Sequence, residues 1–238
     1  MRGTGWGLAL FLVGGVGLAA PAAARPVDLA LVLAVDVSGS VNNERFELQR
    51  RGYAEAFASR EVMDAIAAGE NHAIVVTLVE WSGAGHQRQM VGWTLVQDPA
   101  SAESFGSAIA ETSRAFSDWT SISGAIDYGA ALFDEAQADA LRRVIDISGD
   151  GVNNNGRSVT EARDAAVAAG ITLNGLPILT EYPNLDAYYR ENVIGGPGAF
   201  ALAAGDFNAF GAAILGKLVR EIAGAGGSTT VTLAAASR

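Results

Sequence analysis

Asp36, Ser38 and Ser40 stand at alternate positions at the end of an apolar run, LALVLAVDVSGS, residues 29–40. One carboxylate and two hydroxyls are hard oxygen donors, the ligand chemistry that a small hard cation such as Mg²⁺ prefers. Two further stretches carry oxygens of the same kind. Trp119-Thr120 directly precedes a helical pattern opening Ser121-Ile122-Ser123-Gly124, and Ser148-Gly149-Asp150-Gly151 closes the apolar run LRRVIDIS. Two acids, two serines and a threonine can therefore meet, provided the elements bearing them end on one side of a sheet.

Those elements are legible as alternating strands and helices. The run 29–36 has no polar face, as expected of a strand buried on both sides of a parallel sheet. Asn42 and Asn43 can cap a helix with Phe46, Tyr53 and Phe57 on one face, and Val62 and Ile66 mark a second helical piece. His72–Trp81 reads as a strand. Residues 86–96 alternate and read as an antiparallel edge strand joined to it by a hairpin through Ser82-Gly83-Ala84-Gly85. Helices are expected over 102–115, over 121–136, and over 158–169 with a Ser158/Glu161 capping box. Strands are expected over 141–148 and 171–179, with a short one over 199–203. Residues 182–197 read as a loop with one helical turn. A closing helix over 207–223 carries Phe210, Ile214, Leu218 and Ile222 as its apolar stripe. The pattern predicts an α/β fold: a doubly wound, mostly parallel sheet with one antiparallel edge strand and helices on both faces.

An apolar strand ending in Asp-x-Ser-x-Ser, a Thr just before a helix, and an Asp-Gly at the end of a later strand together resemble the von Willebrand factor A (VWA) domain and its metal-ion-dependent adhesion site. Within that family the chain is similar to a bacterial, exported, single-domain group of unknown function (DUF1194-like). Glu80-Trp81-Ser82-Gly83, the segment 146–151 (DISGDG) and the segment 171–176 (ITLNGL) carry the closer likeness. The resemblance implies that Ser38 and Ser40 bind the cation through their hydroxyls and that Thr120 adds a third, directly or through water. Asp36 and Asp150 would then act through metal-bound waters. The cation would be Mg²⁺, or Mn²⁺ or Ca²⁺, and a Glu or Asp carboxylate on a protein partner would complete its shell. One departure stands out: the family has Thr-Asp-Gly in the third loop, where this chain has Gly149-Asp150-Gly151.

The bulk numbers limit the other readings. Residues 1–24 have a basic start, an apolar stretch from Leu8 to Ala20 and small residues at 22–24, the layout of a signal peptide cut after Ala24. The expected product is a periplasmic or secreted VWA-like domain over 25–224 with a mobile tail over 225–238. No membrane span is expected after cleavage. The chain has no cysteine, so packing rather than disulfides must hold it. A net charge of −10 argues against nucleic acid as a partner.

Other chemistries fit less well. Residues 146–157 mimic a calcium loop, but Arg157 stands where a bidentate glutamate is required. Asp36 is conceivable as a phosphatase nucleophile, yet Ser38 replaces the second acid and Lys217 is the only lysine. The two histidines, His72 and His86, have no nucleophile arranged with them as a triad. A hydrolase and a scaffold with a vestigial metal site remain as alternatives to a binding module. Trp81 and Trp119 are expected to pack, Trp119 alternatively bordering the site. Asp146 is expected to be a structural hydrogen-bonding group.

Overall fold

The computed structural model describes residues 24–224; the expected signal peptide (but for its last residue) and the expected tail lie outside these. Among the described residues, seven strands and seven α-helices follow in chain order. They are β1 (Arg25–Val27), β2 (Leu29–Asp36), α1 (Asn43–Phe57), α2 (Arg60–Ala67), β3 (Ile74–Trp81), β4 (Gln87–Val96) and α3 (Pro99–Ala110). After these come α4 (Ile122–Leu132), β5 (Ala138–Ala140), β6 (Arg143–Gly149), α5 (Val159–Ala168), β7 (Thr172–Pro177), α6 (Leu185–Tyr188) and α7 (Phe210–Ala223).

The main sheet has the order β4-β3-β2-β6-β7, parallel except for the β3–β4 pair. This is the expected doubly wound architecture with one antiparallel edge. Every residue of β2 and β3 is buried, which explains why both are apolar except for Asp36, Thr77 and Glu80. Successive β2 side chains point to opposite faces. Leu29, Leu31, Leu33 and Val35 join the core beneath α1, α3 and α7, whereas Ala30, Val32 and Ala34 join the core beneath α4 and α5. Edge-on aromatic pairs, Phe57 on Phe105 and Tyr53 on Phe210, lock α1 between α3 and α7.

From β2 the chain winds outward to β3 and β4, then returns to pair β6 on the other flank of β2. The carboxyl ends of β2 and β6 therefore border the crevice where the winding reverses. Open α/β sheets bind ligands at this kind of place.

Several elements depart from expectation. The third helix begins earlier and ends earlier than 102–115, because Asp98 caps it in a capping box with Ser101 and Pro99 takes its first turn. The fourth ends at Leu132 and gives way to a 3₁₀ turn, Phe133–Glu135. Residues 199–203 form no strand and make only an isolated bridge between Ala201 and Gly175. The segment 182–197 is more ordered than a loop: α6 runs directly into a π-helical turn, Tyr189–Val193.

Candidate metal centre

The first loop leaves β2 at Asp36, which is fully buried. Its Oδ1 accepts the backbone N–H of Ser38 at 2.7 Å, curling the loop so that Ser38 Oγ lies 3.3 Å from Ser40 Oγ. Gln49, on α1, donates to the Asp36 carbonyl at 3.0 Å. Arg114 donates to the carbonyls of Val37 and Ser38, and Gly39 N–H donates to Asp118 O at 2.8 Å. The first loop is thus fastened from α1 and from the segment ahead of α4.

The second loop delivers Thr120. Its N–H donates to Asn154 Oδ1 at 2.9 Å, and Asn154 N–H returns a bond to the Thr120 carbonyl at 2.9 Å. Ser121 then caps α4. The third loop leaves β6 at Gly149, and Asp150 Oδ1 accepts the Ser40 hydroxyl at 2.6 Å. Gly151 packs against Thr120: a Cβ added there would lie 3.6 Å from Thr120 Oγ1. The structure therefore brings all five expected residues, Asp36, Ser38, Ser40, Thr120 and Asp150, to one crevice. Ser40, Thr120 and Gly151 help line its open part, a cavity of about 550 Å³.

The electrostatics are those of an anion-rich centre. Burial, reinforced by the charge of Asp150, pushes the Asp36 carboxyl up to about 7, against the pull of the Ser38 N–H. Burial also raises Asp150, opposed by the Ser40 hydroxyl and by Arg45. Asp36 Oδ2 is buried without a hydrogen-bond partner. Such an oxygen costs free energy unless something cationic or a donor meets it. Among the described residues no group of three or more His, Asp or Glu side chains is placed to hold a metal, so a cation in this crevice would depend on hydroxyl oxygens. Two serines, a threonine and two acids fit a hard, oxygen-seeking ion on both counts.

Three contributors escaped the sequence reading. Arg45, in the first turn of α1, donates to Ser40 O at 2.8 Å and to Glu181 at 2.7 Å, and reaches Asp150 Oδ2 at 3.4 Å. Asn154 clamps the second loop, and the sequence marks it only by its place in a polar run, Asn153 to Gly156. Tyr189 buries its hydroxyl beside the third loop without a partner. Burial, with the charges of Asp36 and Asp150 close by, holds this phenol well above the usual tyrosine range, so it stays a proton donor. Trp119 is corrected as well: it does not pack but stands 61% exposed at the rim of the cavity, while Trp81 is buried as expected.

Asp146 faces α7 and is not brought among the candidate metal ligands. It pairs with Lys217 Nζ at 2.5 Å, and Lys217 also binds Glu221. All three are buried. Asn174 donates to Glu221 at 2.9 Å.

Strand order and the placement of the crevice are those of a VWA-type α/β fold. The chain belongs to the family described as "Protein of unknown function (DUF1194)", whose model matches residues 26–226. Among solved structures it is similar to proximal thread matrix protein 1 of the mussel byssus, with a TM-score of 0.65, 13% identity, and coverage of 84% of this chain and 49% of that one. A second structure of that mussel protein, titled with a zinc-occupied MIDAS motif, aligns with a TM-score of 0.58, 14% identity and coverage of 82% and 45%. The pilus adhesin SpaC of Lactobacillus rhamnosus GG aligns at 0.60 with 16% identity, over 84% of this chain and 31% of that one. A von Willebrand factor type A protein of Catenulispora acidiphila aligns at 0.53 with 15% identity, over 83% and 42%. The chain spans less than half the length of each of these proteins. No curated protein sequence matched it.

Proposed function

We propose that the protein is an exported binding module that holds a Mg²⁺-type cation in this crevice and grips an acidic group on a protein partner. The observation that carries the reading is the Ser40–Asp150 contact at 2.6 Å, which closes the first and third loops around a buried, unpartnered Asp36 oxygen. Ser38 and Ser40 would ligate through Oγ, with Thr120 as a third hydroxyl. Asp36 and Asp150 would accept hydrogen bonds from bound water and balance charge. Neutral hydroxyls and indirect carboxylates leave a divalent ion under-neutralised, so it supplies an electrophilic position for an outside carboxylate.

Further support comes from the surroundings. The crevice opens outward between Trp119, Tyr182 and Glu181 rather than into an enclosed substrate pocket. Exposed aromatics beside a polar centre are the usual anchors of protein interfaces. No lysine stands at a strand end to receive a phosphate; Lys217 is sequestered in its ion pairs beneath the sheet. Both points favour recognition over hydrolysis. Among the described residues no helix is long and apolar enough to cross a membrane.

The test is calorimetric titration of Mg²⁺ and Mn²⁺ into the wild type and into Asp36→Ala. It is paired with capture of envelope proteins on the immobilised protein in Mg²⁺ and in chelator. Heat and capture that both require Asp36 and the cation are expected. Equal heats from the two proteins, or capture indifferent to chelator, would remove the proposal.

A further inference from the structure

Gly149 stands where the resemblance calls for a threonine, and its surroundings show what occupies that space instead. A Cβ built on Gly149 would lie 2.8 Å from Asp36 Oδ2 and 2.9 Å from the hydroxyl of Tyr189. Both contacts are shorter than a real Cβ tolerates. The two oxygens therefore flank one point from opposite partners: a carboxylate from β2 and a phenol from the turn after α6. Both atoms are buried, and neither has a hydrogen-bond partner. A phenol donates and a carboxylate accepts, so each is the complement the other lacks.

The path of the Tyr189 ring is built for this approach. On β7, next to β6, a Cβ on Gly175 would fall 2.6 Å from Tyr189 Cδ1. Two glycines on neighbouring strands thus leave a lane across the sheet edge, one beside the ring and one beside the hydroxyl. The residue that enters the lane opens a π-helical turn, Tyr189–Val193. Such turns are rare and frequent at functional sites. Tyr189 is completely buried, and Tyr188 packs edge-on to it at 6.3 Å, its own hydroxyl accepting the N–H of Asn153 at 3.1 Å.

We infer that Tyr189 is a positioning residue of the metal centre: its hydroxyl, admitted by Gly149 and Gly175 and not bonded to Asp36 in this structure, would take over the support that a third-loop threonine would give by orienting Asp36 Oδ2 when the cation is bound. This rests on the proposed metal reading and extends it to a residue on another element. The departure in the third loop is then an exchange, in which the hydroxyl moves from β6 to the turn after α6 and the side chain leaves β6 to make room. Groups that orient a metal's immediate partners alter affinity by about 10- to 100-fold when removed.

The test is titration of Mg²⁺, and separately of Mn²⁺, into the wild type, Tyr189→Phe, Gly149→Thr and the double exchange, each with a thermal melt in chelator. Tyr189→Phe keeps the ring and deletes one unpaired buried oxygen. Its melt should equal or exceed that of the wild type, while its cation affinity falls by about 10-fold. Gly149→Thr should fail by collision with both Asp36 and Tyr189. Because the contact with Asp36 remains when the phenolic oxygen is gone, the double exchange should bind no more tightly than Tyr189→Phe alone. A Tyr189→Phe protein that binds as tightly as wild type overturns the assignment, as does one whose affinity loss only tracks a lower melting temperature. A wild type that takes up no cation removes the metal reading itself, and this assignment with it.

Discussion

Ser40 and Asp150 lie 110 positions apart in sequence, yet the Ser40 hydroxyl donates to Asp150 Oδ1 at 2.6 Å. This bond ties the end of β2 to the end of β6 across the crevice where the sheet reverses its winding. Ser40→Ala removes both the tie and a proposed ligand. A hydrogen bond to a charged group contributes about 1.5–3 kcal/mol, so urea unfolding in chelator should show a loss of that order, reduced by the partial exposure of Ser40. Calorimetry should show a larger relative loss in Mg²⁺ affinity than in stability.

Asp36 should respond to substitution with opposite signs in the two conditions. In chelator its carboxylate is buried, faces Asp150 and is pushed up to about 7. Asp36→Asn keeps an acceptor for the Ser38 N–H and deletes the charge. The metal-free variant should therefore melt higher than wild type above neutral pH. Cation at 100 times its dissociation constant stabilises the wild type by about 2.7 kcal/mol, or roughly 5–10 °C for a domain of this size. Asp36→Asn should show none of that rise. Differential scanning calorimetry with Mg²⁺ and with chelator reads both effects.

Much of this centre was open to sequence reasoning because its donors sit at element ends that announce themselves. Asp36 stops an apolar strand, Thr120 precedes the capped helix α4, and Asp150 follows another apolar strand. Groups that act across the chain left no such mark. Lys217 and Asp146 meet only because α7 lies on the sheet. Tyr189 reaches the third loop only because two glycines on neighbouring strands leave it room. The strands β1 and β5, three residues each, are too short to display any period and pair only with one another. The helix α3 starts three residues ahead of the expected boundary at 102, at Asp98-Pro99, a cap and a proline that carry no apolar period.

Glu80 gives the fold a pH dependence of definite sign. Burial pushes its carboxyl from 4.5 to about 7, although Ala115 N–H and the nearby Arg114 pull the other way. The folded state then binds more protons than the unfolded chain between those values. The stabilising contribution is complete below pH 4.5 and is lost as pH rises through about 7. Glu80→Gln retains an acceptor for Ala115 and cannot ionise. Urea midpoints taken from pH 5 to pH 8 should fall less steeply in Glu80→Gln than in wild type, the two converging at the acid end. Parallel curves would assign the pH dependence to other groups.

The trio of Lys217, Asp146 and Glu221 should be the most substitution-sensitive polar group in the fold. All three side chains are buried, and the lysine is the cation both acids touch. Burial raises both carboxyls, Glu221 to about 7, and Lys217 opposes that rise. Lys217→Met removes the opposing charge and strands two buried acids beside Phe200, whose ring centre lies 5.3 Å from Lys217 Nζ. Breaking a buried ion pair on one side costs about 3–5 kcal/mol. Replacing all three partners with apolar residues of similar volume avoids uncompensated charge and can be neutral or stabilising. Lys217→Met should therefore lose most of its urea resistance at pH 8 and regain part of it at pH 5, where the acids can take up protons. The triple variant Asp146→Leu/Lys217→Met/Glu221→Met should be more stable than the single at pH 8. If the single were the more stable there, the trio would not be acting as a charge-balanced unit. Neither variant touches Ser38, Ser40 or Thr120, so each folded protein should still bind Mg²⁺, and that retained affinity separates the support beneath the sheet from the centre at its edge.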